Sequence, residues 1–344
     1  MMITLFNREW SKTELLARVG HIDQLAGIRL LEAQDGKARG CRLLDVWTGT
    51  GLRFQVNAER ALDISSCDYK GIPLSWRSPA GDVHPMYYEP QGTGWLRSFP
   101  GGLLTTCGLD QFGLPSEDNG KEFGLHGRIS NTPASQVNYR TYWADDDYKL
   151  VISAETRQAS LFGENLVLRR QISTALGSNR IRIEDFITNE GFEPAPHMLL
   201  YHFNLGFPLI SENAQLHLKT EETFPRDEAA QNGMDGWDRF QLPTQGYQEQ
   251  VFIHRPETDK NGFTSVELSN PQMDIGLRWS YKTANLPYLM EWKMMGEGAY
   301  VVGVEPANCD GLGGRAATRE LDKLPMLEPG ESRDYHINLE VSLS

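Results

Sequence analysis

The chain has 344 residues, 40% hydrophobic and 23% charged, with 33 glycines, 18 prolines and 4 cysteines, which excludes disordered, collagen-like and disulfide-scaffold classes. Its 46 acidic and 33 basic side chains leave a formal charge of -13, a field that opposes a phosphate backbone, so no nucleic-acid partner is expected. At ~150 residues per domain the length suggests about two units, but all-β chains often exceed that as one.

Cys41, Cys67, Cys107 and Cys309 form no C-x-x-C pair and read as buried thiols in a reducing compartment. No segment reaches the ~20 apolar residues of a membrane span, and Met1 to Gly20 lacks a basic start followed by an apolar run. The expectation is a cytoplasmic protein with no membrane partner.

In chain order, Ser11 with Glu14 reads as a capping box for a short helix over Thr13 to Val19. Asp63 to Gly124 is dense in Gly and Pro, which break regular elements, and carries Trp76, Tyr87, Tyr88, Trp95, Arg97 and Phe99. Aromatic faces beside a guanidinium suit a sugar pocket, because C–H faces stack while hydroxyls need donors. Equally, an all-β protein needs aromatics to cover its sheet ends.

Gly124-Leu125-His126-Gly127-Arg128 is either a plain turn or a site where backbone approaches a ligand and leaves an imidazole exposed. Asp145-Asp146-Asp147 tips a loop. Alternation then dominates. In Leu199 to Leu205, Leu199, Tyr201, Phe203 and Leu205 face one side, while Leu200, His202 and Asn204 face the other. That pairing fits a satisfied core histidine or a site. His197 and His202 fall on opposite faces, and His217 and His336 on polar faces. His21, His84 and His254, in or near loops, receive no role.

Ile275, Leu277, Trp279 and Tyr281 alternate with polar or small residues, and so do Tyr335, Ile337, Leu339, Val341 and Leu343. Tyr300 to Pro306 sends Tyr300, Val302 and Val304 to one face and Val301, Gly303 and Glu305 to the other, and Pro306 stops the pairing. A carboxylate at the end of a buried strand has a raised pKa and can serve as a base; the alternative is a strand-end Glu in solvent. Many short strands with turn punctuation give an all-β antiparallel sandwich. Phosphate loops, a G-x-S-x-G elbow and His-x-His pairs are absent, so neither cofactor nor metal is expected.

Leu286-Pro287-Tyr288-Leu289 through Trp292, Tyr300 to Pro306, and Leu327-Glu328-Pro329-Gly330-Glu331 resemble the aldose 1-epimerase (galactose mutarotase-like) superfamily. With His126-Gly127 and His202-Phe203-Asn204-Leu205 in order, the resemblance covers roughly residues 95 to 344. It looks closest to a poorly characterised branch, to which Gly101 to Leu109 is also similar.

The resemblance implies one β-supersandwich domain over residues 1–344, with 1–95 an N-terminal sheet layer. It implies a cofactor-independent isomerase, monomeric or homodimeric, that interconverts the anomers of a small-molecule sugar. Glu305 would be its general base and His202 its general acid, with His126 and Arg97 binding substrate and Asn204 and Trp292 as further substrate-binding candidates. Asp235 or Asp238 would supply a binding carboxylate. Arg128 stands where the superfamily commonly has a second glycine, and with Arg97 and Arg315 it leaves room for a phosphorylated, sulfonated or uronic sugar. Other readings on the same fold are a non-catalytic carbohydrate sensor and a polysaccharide lyase or hydrolase.

Overall fold

The computed structural model describes residues 2–342, and the predicted strand residue Leu343 lies outside them. Two large antiparallel sheets carry the chain. The first contains β1 (Gly27–Glu32), β2 (Arg42–Trp47), β3 (Leu52–Asn57), β4 (Asp63–Tyr69) and β5 (Leu104–Leu109). The second opens with β6 (Ser135–Ala144), β7 (Asp147–Ala159), β8 (Asn165–Ala175) and β9 (Arg180–Asn189). The chain returns to the first sheet with β10 (Met198–Gly206) and adds β11 (Gln215–Leu218) to the second.

Then follow β12 (Thr220–Pro225) and β13 (Gln250–Pro256) in the first sheet, and β14 (Phe263–Asn270) and β15 (Ile275–Lys282) in the second. β16 (Tyr288–Gly296) and β17 (Ala299–Ala307) complete the first sheet, and β18 (Ser332–Ser342) the second. The first sheet runs β12-β13-β16-β17-β10-β5-β4-β3-β2-β1, so the N-terminal strands extend the sheet that holds the C-terminal motifs. The second runs β6-β7-β8-β9-β18-β15-β14-β11.

Alternation explains the packing. In β18, Tyr335, Ile337, Leu339 and Val341 are buried while His336, Asn338 and Glu340 are half-buried. Their buried face joins Trp279, Phe203, Val302 and Val304 in the core between the sheets. β10 lies mid-sheet and is buried at every position. Leu199, Tyr201, Phe203 and Leu205 enter that core, whereas Met198 and Leu200 belong to a second apolar cluster with Trp95, Phe99, Cys107, Phe112 and Met290. A half-buried helix is capped as expected by Ser11 and Glu14, though it spans only Lys12–Leu16.

Beneath β10 the sheets are tied by charge. Arg170 donates to both oxygens of Asp185 at 2.9 and 2.7 Å and to Asp63 at 3.0 Å; Tyr201 donates to Asp185 at 2.7 Å and Thr106 to Asp63 at 2.6 Å. Partners for each charge make burial tolerable.

Three expectations need correction. Pro306 does not stop the pairing: it lies opposite Leu289 of β16, and β17 runs on to Ala307. The stretch from Asp63 to Gly124 contains two full strands, β4 and β5, because its glycines and prolines cluster between them. His254 lies in β13 and is fully buried.

Candidate functional site

The outer face of the first sheet, away from the core, carries the site. β5 pairs Thr105 with His202 and Cys107 with Leu200; β10 pairs Asn204 with Gly303; and β16 pairs Trp292 with Gly303 and Met290 with Glu305. Side chains of directly paired residues share a face, so His202, Asn204, Gly303, Glu305 and Trp292 converge. His202 Nε2 stands 3.2 Å from Glu305 Oε1, with both side chains almost wholly buried.

Aromatic rings cover this pair. Phe99 and Trp292 lie 5.3 and 5.5 Å from the His202 ring, Trp76 stands 6.0 Å from Phe99 and 6.2 Å from Trp292, and Trp95 stacks on Phe99 at 4.4 Å. His126 packs 4.7 Å from Trp95 and edge-on to His202 at 5.6 Å. Its backbone is left-handed, with φ 57°, followed by Gly127 at 73°. A Cβ on Gly127 would strike the carbonyl oxygens of Gly108 and Gln111, so this glycine serves a close approach of protein to protein. The Gly113 N–H donates to His126 Nδ1 at 3.5 Å, which leaves the ring proton on Nε2.

Burial sets the protonation of the pair. It pushes the Glu305 carboxyl well above the usual carboxylate range, with Glu249 adding to the rise and Arg226 opposing it. It holds His202 well below the usual histidine range, helped by His126, and lowers His126 to about 4. Each group therefore favours its neutral form, and the pair together holds one transferable proton.

Glu305 Oε1, His202 Nδ1 and Asn204 Oδ1 are buried and find no hydrogen-bond partner among the described residues; Oε1, though close to His202, is not aligned with it. Three such atoms at one place call for a polar ligand or water. Asn204 Nδ2 is occupied, donating to Gly101 O at 3.3 Å and His202 O at 2.9 Å. Among the described residues, no group of three or more His, Cys, Asp or Glu is arranged to hold a metal ion.

Other candidates stay outside. Arg97 is exposed and paired with Glu89 at 3.4 Å, although Trp95 in the same short 3-10 helix enters the cluster. Arg315 is tied to Asp110 and Asp118 at 3.1 and 2.7 Å, and Arg128 is exposed. Asp238 accepts from Gln215 at 3.1 Å and lines a cleft of about 850 Å³ bordered by β11 and β14. Another, of about 350 Å³, lies on the second sheet, and neither cleft includes His202 or Glu305.

Sequence reasoning missed the rim. Glu249 accepts from Trp292 Nε1 at 3.0 Å and pairs with Arg226 at 3.0 Å, and no local motif announces either residue. It also missed a second buried pair on the core face: His254 Nε2 lies 3.3 Å from Glu291 Oε2, and Thr223 Oγ1 lies 2.9 Å from His254 Nδ1. The apolar run Val251-Phe252-Ile253 before His254 was the available signal.

The two-sheet architecture is galactose mutarotase-like. The structure of a "putative aldose 1-epimerase" from Klebsiella pneumoniae matches with TM-score 0.87 and 26% identity over 94% of this chain and 86% of that one. A galactose mutarotase-like protein from Clostridium acetobutylicum matches at 0.65 and 13%, covering 93% and 100%. The galactose 1-epimerase of Lactobacillus acidophilus matches at 0.60 and 12%, covering 93% and 99%. No curated protein matches the chain. Residues 38–341 match the model of the family described as "Domain of unknown function (DUF4432)", and the chain belongs to that family.

Proposed function

We propose that the protein is a cofactor-independent aldose 1-epimerase that interconverts the α and β anomers of a sugar. The observation that carries this reading is the 3.2 Å approach of His202 and Glu305 beneath aromatic rings, with polar atoms of both left unpaired. Two dry groups that share one proton are what ring opening requires, since one proton leaves and another arrives at oxygens on the same carbon.

Glu305, as carboxylate, accepts the proton of the anomeric hydroxyl, while His202, as imidazolium, protonates the ring oxygen. The C1–O5 bond breaks as the C1 carbonyl forms. Rotation about C1–C2 presents the other carbonyl face, and the steps reverse with the two residues exchanging roles. Burial favours the proton on Glu305, the arrangement with roles exchanged, and sugar hydroxyls that solvate the carboxylate bring the two arrangements closer. Trp292 and Phe99 offer flat faces to sugar C–H groups, His126 Nε2 a donor, and Asn204 Oδ1 an acceptor. Arg97, paired to Glu89 on the surface, is left out. Four buried free thiols support a cytoplasmic setting.

The test is anomer exchange by NMR over a panel of free, phosphorylated and uronic sugars. Exchange above the buffer rate for any of them supports the reading. Saturable binding without faster exchange selects a sensor, and new reducing ends or unsaturated product from oligosaccharides selects chain cleavage.

A further inference from the structure

We propose that Glu249 is a positioning residue of this site: it latches the Trp292 indole as one wall of the sugar pocket. The inference rests on the epimerase reading for its kinetic consequences, but its geometry stands alone.

Glu249 lies just before β13, in the connection that leaves β12. Its Oε2 accepts from Trp292 Nε1 at 3.0 Å, and its Oε1 stands 3.0 Å from Arg226 Nη2. Arg226 is held in turn by Asp227 at 2.6 Å and by its own backbone N–H to Val251 O at 2.9 Å, while Asp227 caps the helix Glu228–Asn232. A fixed chain of contacts thus runs from that helix cap to the indole nitrogen.

The other edge of the indole meets His202, Trp76 and Phe99, with ring centroids at 5.5, 6.2 and 6.4 Å. Beneath its Cβ lies Gly303, and the space a side chain there would take is filled by the Glu305 carboxylate, so the place of the indole and that of the carboxylate are linked. Trp292 is also half-buried, and one hydrogen bond from its polar edge is what selects its orientation.

Charge gives the latch a second effect. The charged and titratable groups around the Glu305 carboxyl are His202 on β10, Cys107 on β5, and Arg226 and Glu249 at the rim, with His126 behind His202. Glu249 is the anion among the rim groups and keeps a proton on the pair; removing its charge lets that proton leave at lower pH.

The experiment compares Glu249→Gln, Glu249→Ala, Trp292→Phe and the Glu249→Ala/Trp292→Phe double variant, first through the indole N–H resonance of Trp292, assigned by its loss in Trp292→Phe. Glu249→Ala shifts that resonance and speeds its hydrogen exchange, whereas Glu249→Gln, which keeps an acceptor oxygen, leaves it near its original place. In anomer-exchange kinetics Glu249→Ala raises KM roughly 3–10-fold, the loss of about one hydrogen bond, and has no further effect on KM in the Trp292→Phe background. Glu249→Gln keeps KM and moves the pH profile to lower pH. An unchanged indole resonance in Glu249→Ala overturns the latch, as does an equal KM effect with and without Trp292. Absence of exchange by the wild type on every sugar overturns the epimerase reading instead, and the resonance still decides the latch.

Discussion

Gly303 makes room for the Glu305 carboxylate, two residues further along β17. A Cβ there would collide with Glu305 Oε1 and come within 3.0 Å of the Trp292 Cβ. Gly303 is not among the positive-φ glycines, so its role is space and not backbone freedom. Gly303→Ala must push the carboxylate from its place beside His202, and displacement of a reacting group by ~1 Å can cost about 10²-fold in rate. The expected result is a fall in kcat of at least tenfold with a melting temperature close to wild type. A normal kcat would show that the carboxylate position is immaterial.

The pH dependence follows from the shared proton. Activity needs one proton on the His202–Glu305 pair. Burial lowers His202, so the second proton binds only well below the usual histidine range; burial raises Glu305, so the last proton leaves only well above the usual carboxylate range. The profile of kcat/KM is therefore a bell whose acid limb lies below the usual histidine range and whose alkaline limb lies above the usual carboxylate range, and its two limbs belong to the pair. A single limb near 6.5, the value of a free imidazole, contradicts this.

His197 supplies a stability test away from the site. Its Nδ1 donates to Leu109 O at 3.1 Å and its Nε2 accepts from Tyr335 at 2.7 Å, both as a neutral ring, and burial drives its pKa down to about 4. The unfolded chain takes up this proton below ~6.5, so the contribution of His197 to stability is full above that pH and is lost as pH falls toward 4. Glutamine does not titrate. The destabilisation by His197→Gln, from urea unfolding, should shrink by about 2 kcal/mol between pH 7 and pH 5. A constant difference would mean that His197 titrates normally.

Arg170 holds two buried carboxylates, Asp63 and Asp185, beneath the site strands. Arg170→Met removes the ion-pair partner of both, and loss of one partner from such a network costs about 3–5 kcal/mol. Chemical denaturation should show a loss of that size, while a change under 1 kcal/mol would mean that the acids are neutral in the native protein.

Much of this geometry was legible in the sequence. Period-two alternation from Leu199 to Leu205 and from Tyr300 to Glu305 separates core residues from His202, Asn204, Gly303 and Glu305, because a strand buried on both faces still sorts its side chains by parity. The pairing of those strands was not legible from periodicity, since distant segments carry no mark of their partner; motif order in a resembling superfamily supplied it. Arg97 misled because Trp95 and Arg97 are two residues apart in a 3-10 helix, where that spacing turns side chains to different sides. Glu249 left no trace, being an exposed loop carboxylate whose partner, Trp292, is distant in sequence.

The central claim is that His202 and Glu305 exchange protons with a bound sugar. The most direct measurement is anomer exchange by two-dimensional NMR on the best sugar of the panel, for wild type, Glu305→Gln and His202→Asn, with sugar binding and melting temperature measured on the same samples. The account predicts retained folding and binding with exchange reduced ~10²–10⁴-fold in each variant. Exchange at the wild-type rate in either folded variant would contradict it.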